Sequence, residues 1–233
     1  MITKLPVLNT DMIILVMFNL EFIWIIKEKI KDLKNVWFLT SDELKKKAAI
    51  GIGINENQVI LYEYNNKRII GEEKMPKFDV VLINPPYNGA KKGKGDGAGK
   101  SIWAPFIEEA FNSLKENGYM CAVHPSTWRY GKTRTLLPAQ KILFTNQIHY
   151  LKTQIPFPGV GTIVDHYIIQ KKIAETDTDV DFLDTKKQYK IYGNIRYINH
   201  YQSDIINSIF SKVFKTQDNG LKCVWGWGGD WKN

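Results

Sequence analysis

The fold of this 233-residue chain is decided by the stretch FDVVLINPPY, residues 78–87. Its first part, Phe78 to Ile83, is apolar except for Asp79, which predicts a strand that is buried on both faces. Two consecutive prolines cannot donate hydrogen bonds to a neighbouring strand, so the strand is predicted to end before them. Asn84 is therefore expected at the carboxyl end of a buried strand, where parallel sheets bind their ligands.

Strand and helix patterns alternate on both sides of this stretch. Apolar runs predict further strands at residues 12–18, 36–39, 58–62, 119–123 and 161–169. The helical spacing of apolar side chains predicts helices at residues 21–34, 42–49 and 103–114, with Gly118 ending the last of them. This alternation predicts an α/β fold built on a doubly wound, mostly parallel sheet.

The composition excludes several classes of protein. Hydrophobic residues make up 44% of the chain and charged residues 24%, so a disordered chain is excluded. Two cysteines exclude a disulfide scaffold and a four-cysteine zinc module, and four histidines without paired spacing predict no metal. The most apolar stretch, residues 12–26, contains Asn19 and Glu21 and is too short to span a bilayer. We expect no membrane association and a cytoplasmic location (in a host cell if the gene is viral).

Asn84, Pro85, Pro86 and Tyr87, placed after a buried strand, resemble the catalytic motif of amino-group methyltransferases that use S-adenosylmethionine. The resemblance is greatest to the DNA adenine-N6 methyltransferases of restriction–modification systems. It extends to FNSLKENGYMCAVHPSTW and FPGVGT and spans roughly residues 12–172. It implies the class I methyltransferase (Rossmann-like) fold with a small C-terminal extension, S-adenosylmethionine as cofactor and DNA as partner. The net charge of +8 suits a polyanionic partner.

The chemistry of the motif can be argued from its residues. The amino group of a base is a poor nucleophile, because its lone pair is delocalised into the ring. The Asn84 side-chain oxygen and the Pro85 carbonyl can accept its protons and localise that lone pair. Pro86 helps to fix the backbone, and Tyr87 offers a ring on which a flipped base can stack. No residue of this set has to ionise.

The resemblance also predicts where the cofactor binds. The predicted contacts lie at the ends of the first three strands: Phe18, Asn19, Glu21, Asp42, Glu63 and Asn65. Asp42 would hold the ribose hydroxyls, although it is equally suited to cap a helix. Glu21 could pair with the ammonium group of the cofactor or be an ordinary first-turn acid, and Asn65 could be a turn residue.

One departure from the family pattern concerns the loop after the first strand. The family normally has a glycine there, which lets the backbone approach the cofactor, whereas this chain has Phe18-Asn19-Leu20-Glu21. Two alternatives follow. Asn19 and Glu21 bind the cofactor in an altered way, or binding is weak or lost and the fold is a catalytically silent module for DNA or a partner protein.

Basic residues in two loops are candidates for nucleic-acid contact. Those in the glycine-rich loop after the motif are Lys91, Lys92, Lys94 and Lys100, and those after the fifth strand are Arg129, Lys132 and Arg134. Ordinary surface loops are the alternative for both groups. His124, at the end of the same strand, is expected to be structural rather than a general base.

A change in composition near residue 174 predicts a catalytic domain at residues 1–173 and an extension at residues 174–233. The extension would be a small or abbreviated target-recognition region, or a second subunit would supply that function. The expected activity is methyl transfer to the N6 amino group of a flipped adenine in DNA. RNA or a protein glutamine amide is an alternative substrate, because the motif suits any planar amino group.

Overall fold

The computed structural model describes residues 8, 10–63, 68–70, 75–88, 101–129, 136–157, 160–182 and 185–191. Four α-helices are found in these residues: α1 (Glu21–Ile30), α2 (Glu43–Ile52), α3 (Trp103–Asn112) and α4 (Leu137–Thr145). The strands are β1 (Ile14–Met17), β2 (Val36–Thr40), β3 (Val59–Glu63), β4 (Arg68–Ile70), β5 (Phe78–Ile83), β6 (Leu114–Pro125), β7 (Asn146–Phe157), β8 (Val160–Ile173), β9 (Thr178–Phe182) and β10 (Thr185–Tyr189).

Within the described residues, the strands form one mixed sheet in the order β10-β9-β7-β8-β6-β5-β1-β2-β3-β4. The central strands β6, β5, β1, β2 and β3 are parallel to one another. β8 runs antiparallel to both β6 and β7. The chain proceeds outward from β1 in one direction and then returns to start β5 on the other side. The order of strands therefore reverses between β1 and β5, which is the point where open α/β sheets bind ligands.

Helices cover both faces of the sheet because the central strands are apolar on both sides. Ile14 and Val16 of β1 pack with Ile23 and Ile26 of α1, and buried side chains of α2 belong to the same core. The alternate side chains of β1, exemplified by Leu15, belong to the core under α3 and α4. This arrangement follows from the period-two alternation of a strand and confirms the doubly wound architecture.

The helix predicted to end at Gly118 ends earlier, at Asn112, and that boundary was wrong. Gly118 instead lies within β6, in a region where the pairing of β5 with β6 shifts register. A Cβ atom at Gly118 would lie 3.0–3.1 Å from the carbonyl oxygens of Lys115, Asp79 and Phe78. The glycine is therefore needed for the close approach of two backbones rather than for a helix end.

The sheet continues past the predicted domain boundary at residue 174. β9 pairs in parallel with β7, and β10 pairs with β9. The chain divides into two compact units later, as Met1–Ile198 and Asn199–Asn233, and the described residues belong to the first. Among those residues, none of the helices combines the length and apolar character that crossing a lipid bilayer would require.

Candidate active site

The motif strand and the first strand end side by side. Met17 of β1 pairs with Ile83 of β5, so the next residues, Phe18 and Asn84, leave the sheet together at the point where the strand order reverses. On its other side, Ile83 pairs with Ala122 of β6. The motif therefore emerges between the turn after β1 and the end of β6, where the sequence predicted a ligand site.

A hydrogen bond links the two ends of the Asn84–Tyr87 motif. The Tyr87 hydroxyl donates to the Asn84 Oδ1 atom at 3.2 Å, and both side chains are half-buried. Burial raises the pKa of Tyr87 to about 12, so this hydroxyl keeps its proton at neutral pH. The Tyr87 carbonyl accepts a bond from the Ile102 amide at 3.0 Å, and Asn88 forms an antiparallel bridge with Ser101. These bonds fix the backbone that carries the tyrosine.

Phe18 adopts the backbone conformation that a glycine would normally supply. Its φ angle is 68°, in the left-handed region that side chains rarely occupy. Its amide donates to the Leu39 carbonyl at 2.8 Å. Its ring meets Phe106 edge to face at a centroid distance of 5.0 Å and Tyr62 at 6.0 Å. Aromatic packing thus stabilises a turn that the backbone alone disfavours.

Two polar contacts accompany this turn. The Asn19 Oδ1 atom accepts a bond from the Glu21 amide at 3.0 Å, which satisfies a donor at the start of α1. The ammonium group of Lys45, in the first turn of α2, donates to the Phe18 carbonyl at 3.2 Å. Lys45 was not predicted from the sequence, because its partner is 27 residues away. Cofactor contact by Phe18, Asn19 and Glu21 stays a prediction.

Asp42 caps α2, as one of its two predicted roles required. Its Oδ1 atom accepts bonds from the Leu44 amide at 2.8 Å and the Lys45 amide at 3.3 Å. Its own amide donates to the Thr40 hydroxyl at 3.2 Å. The side chain is exposed at the carboxyl end of β2, so the cap does not exclude a second contact. The ribose contact stays a prediction.

Several predicted site residues, or their side chains, lie outside the described part of the structure. Glu63 ends β3, but its side chain lies outside the described part of the structure. The other residues outside the described ranges are Asn65, Lys91, Lys92, Lys94, Lys100, Lys132 and Arg134.

Arg129 does not belong to an exposed nucleic-acid surface, and that prediction was wrong. Its side chain is 0% exposed, and its Nε atom lies 2.8 Å from the Oδ2 atom of Asp165 on β8. The Trp128 indole donates to the same oxygen at 2.8 Å. A buried charge needs a partner of opposite sign, and the guanidinium group is used for this purpose instead of binding phosphate.

His124 is structural, as expected. Because the Pro125 carbonyl 3.0 Å away can only accept, the Nδ1 atom carries the hydrogen, and Nε2 accepts from the Tyr167 hydroxyl at 2.8 Å. Burial lowers the pKa of His124 to about 3, so the ring is neutral. The imidazole also stacks on Trp103 at the start of α3. These residues pack together beside the motif.

The supporting residues on β8, Asp165 and Tyr167, were missed from the sequence. The signal that could have found them is a single carboxylate inside the apolar run GTIVDHYII. A charge in such a run predicts a buried partner elsewhere in the chain, and Arg129 is that partner.

Comparison with known proteins agrees with this fold. The family model of the Eco57I restriction-modification methylases matches residues 7–153. An "Uncharacterized adenine-specific methylase" of Mycoplasma pneumoniae is 27% identical over 190 residues, which cover 79% of this chain and 37% of that protein. The "Adenine-specific methyltransferase BrxX" of Escherichia coli O9:H4 is 33% identical over 64 residues, which cover 23% of this chain and 5% of that protein.

A solved structure matches the fold at low sequence identity. The modification subunit of a putative type I restriction enzyme from Vibrio vulnificus YJ016 has a TM-score of 0.55 and 11% identity. The match covers 88% of this chain and 50% of that subunit. The chain thus spans half the length of the matched subunit, and less than half the length of each of the two relatives above.

The strand order, with its reversal between β1 and β5, defines the class I methyltransferase fold. Within that class, the chain belongs to the Eco57I restriction-modification methylase family.

Proposed function

We propose that this chain carries the catalytic site of an S-adenosylmethionine-dependent methyltransferase that methylates the N6 amino group of a flipped adenine in DNA. The observation that supports this most directly is the position of Asn84. It follows β5 at the reversal point of the sheet, beside the turn after β1. The fold binds ligands at this edge, the matching family model is named for restriction-modification methylases, and both relatives are named as adenine-specific.

The proposed reaction needs acceptors rather than a base. The Asn84 Oδ1 atom and the Pro85 carbonyl would each accept a hydrogen bond from the amino group, which localises the nitrogen lone pair. The nitrogen would form its bond to the methyl group as the bond between that methyl and the cofactor sulfur breaks, and one amino proton would be lost to solvent. Pro85 and Pro86 remove backbone donors from this turn, so acceptors dominate there. Tyr87 stacks on the flipped base, and the enzyme gains rate mainly by positioning the reactants.

S-adenosylmethionine would bind at the carboxyl ends of β1, β2 and β3. In this proposal Asp42 holds the ribose hydroxyls, and Phe18, Asn19 and Glu21 line the methionine end, with Glu63 and Asn65 near the adenine. The bound cofactor supplies the electrophilic methyl group. DNA contact by the predicted lysines and by Arg134, and target recognition by residues 174–233 or by a second subunit, are parts of the same proposal.

The test is transfer of a labelled methyl group from S-adenosylmethionine to double-stranded DNA. We expect incorporation at adenine N6, identified by nucleoside analysis, and its loss in Asn84→Ala. Asn112→Ala, which changes an exposed asparagine at the end of α3, is the matched control and should keep full activity. An Asn84→Ala protein that is folded and still active would refute the catalytic assignment.

The turn at Phe18 favours a second candidate, a methyltransferase fold without catalysis that binds DNA or a protein. The loop after the first strand normally contains a glycine in the family that this chain resembles, whereas here it contains a phenylalanine whose ring packs on Phe106. Calorimetric titration with S-adenosylmethionine, with and without DNA, separates the two candidates. One-to-one binding supports the enzyme, and its absence in folded protein supports the silent module.

A further inference from the structure

Tyr87 contacts the proposed catalytic oxygen through its hydroxyl group as well as offering a ring. The Oη atom lies 3.2 Å from the Asn84 Oδ1 atom and donates to it. Stacking on a base would use only the ring, and a phenylalanine would serve that purpose equally. The hydroxyl therefore has a contact that the stacking role leaves unexplained.

The backbone between the two side chains is unusually constrained. Pro85 and Pro86 separate Asn84 from Tyr87, and each has a fixed φ angle. At the other side of the tyrosine, the Ile102 amide holds its carbonyl at 3.0 Å. The tyrosine hydroxyl is thus a donor in a defined place, whereas the χ2 torsion of an asparagine has a broad distribution when nothing restrains it.

We propose that the Tyr87 hydroxyl is a positioning group that aims the Asn84 oxygen at the amino group of the substrate. An amide oxygen has two lone pairs, so it can accept from the hydroxyl and from an amino proton at the same time. The hydroxyl fixes the orientation in which Oδ1, rather than the amide nitrogen, is presented. An amide turned the other way would offer donors to an amino group that is itself a donor. This inference rests on the proposed function and assigns a second role to one of its residues.

The opposite role is occlusion, in which the hydroxyl blocks the oxygen until the base displaces it. Removing the hydroxyl would then speed the reaction. Positioning predicts a slower reaction, because the asparagine samples unproductive orientations. The sign of the effect therefore decides between the two roles.

The test is steady-state methyl transfer by Tyr87→Phe, which keeps the ring and removes the hydroxyl. We expect kcat to fall about three- to tenfold, the equivalent of one neutral hydrogen bond, with KM for DNA changed by less than about twofold. Tyr87→Ala also loses the ring, so its KM should rise as well. An unchanged or raised kcat in Tyr87→Phe would overturn the positioning role.

Two controls separate this result from other failures. Tyr119→Phe removes a tyrosine hydroxyl from β6, where Tyr119 pairs with Val80 in the first half of β5, whereas the motif follows the last residue of that strand; this variant should keep the wild-type kcat. Thermal unfolding and the dissociation constant for S-adenosylmethionine should be unchanged in Tyr87→Phe. If the wild-type protein transfers no methyl group to DNA, RNA or protein, the proposed function fails. If it does and Tyr87→Phe matches it, only the positioning role fails.

Discussion

The imidazole of His124 lies flat against the indole of Trp103, with ring centroids 4.1 Å apart and planes inclined by 11°. Trp103 begins α3, directly after the residue that holds the Tyr87 carbonyl, and His124 lies near the carboxyl end of β6. The Tyr167 hydroxyl adds β8 to the group. A buried neutral histidine thus joins three elements beside the motif.

The stability of the protein should depend on pH through this ring. Since the pKa of His124 falls from its usual 6.5 to about 3 on folding, the unfolded chain binds a proton that the folded protein does not between those values. The contribution of the neutral ring to the free energy of unfolding is fully present above pH 6.5. It decreases by about 1.4 kcal/mol per pH unit as the pH falls towards 3.

His124→Phe keeps an aromatic ring on Trp103 and removes the titrating group. We expect its loss of stability between pH 7 and pH 5, measured by urea unfolding, to be smaller than that of the wild type by about 2 kcal/mol. His166, whose pKa is lowered to about 4 by burial and by the nearby Lys152, should account for some of the slope that remains. Equal slopes in the two proteins would contradict the prediction.

Asp42 allows the helix cap and the cofactor contact to be separated. Asp42→Ser keeps a capping oxygen, whereas Asp42→Ala loses it and should cost about 1 kcal/mol of stability in urea unfolding. If the carboxylate also holds the ribose hydroxyls, both variants should bind S-adenosylmethionine about 10- to 100-fold more weakly by calorimetry. Wild-type affinity in Asp42→Ser would mean that Asp42 is only a cap.

Because the φ angle of Phe18 is positive, we expect its glycine variant to be more stable than its alanine variant, the reverse of the usual order within a strand. Phe18→Ala and Phe18→Gly both lose the contacts with Phe106 and Tyr62, at a cost of about 3–5 kcal/mol. Glycine tolerates this backbone conformation and alanine does not, so Phe18→Gly should be the more stable by about 1 kcal/mol. Met17, one residue earlier in β1, is the control: there the alanine variant should be the more stable. The same order at both positions would argue against a strained turn.

Gly118 and Gly51 predict opposite effects of the same substitution. Gly118→Ala places a Cβ atom against three backbone carbonyls that cannot move aside, so we expect a loss of about 1–3 kcal/mol. At Gly51, within α2, a Cβ atom would meet nothing within 4 Å. Gly51→Ala should therefore raise stability by about 0.5–1 kcal/mol, because alanine favours a helix. Chemical unfolding of both variants checks the pair, and similar effects would contradict it.

The sequence predicted the central strands well, because each of them contains a short apolar run that fits a buried strand. β5 has the bounds that its residues indicated, and its motif lies at the predicted edge. Four strands, β4, β7, β9 and β10, were not predicted. β9 and β10 lie at one edge of the sheet and contain polar and charged residues. Their sequences therefore lack the apolar pattern by which the central strands were predicted.

The site was predictable where a residue acts through its position after a strand, and not where it acts through a distant partner. Asn84 and Asp42 belong to the first kind. Arg129 belongs to the second, because only the folded chain brings it to Asp165, 36 residues away. The left-handed turn at Phe18 was also unpredictable, since phenylalanine disfavours that conformation and the contacts that stabilise it, with Leu39 and Phe106, come from distant parts of the chain.

The bridge between Asn88 and Ser101 has a consequence for how such a chain can diverge. The bridge holds the two ends of segment 89–100 together beside the motif. The position at which the main chain enters α3 therefore does not depend on the length of that segment. Doubling the length of a loop whose ends are held together costs only about 0.6 kcal/mol in closure entropy. Insertions and deletions at this point should therefore leave the scaffold intact, which makes it a natural place for new specificity to be acquired.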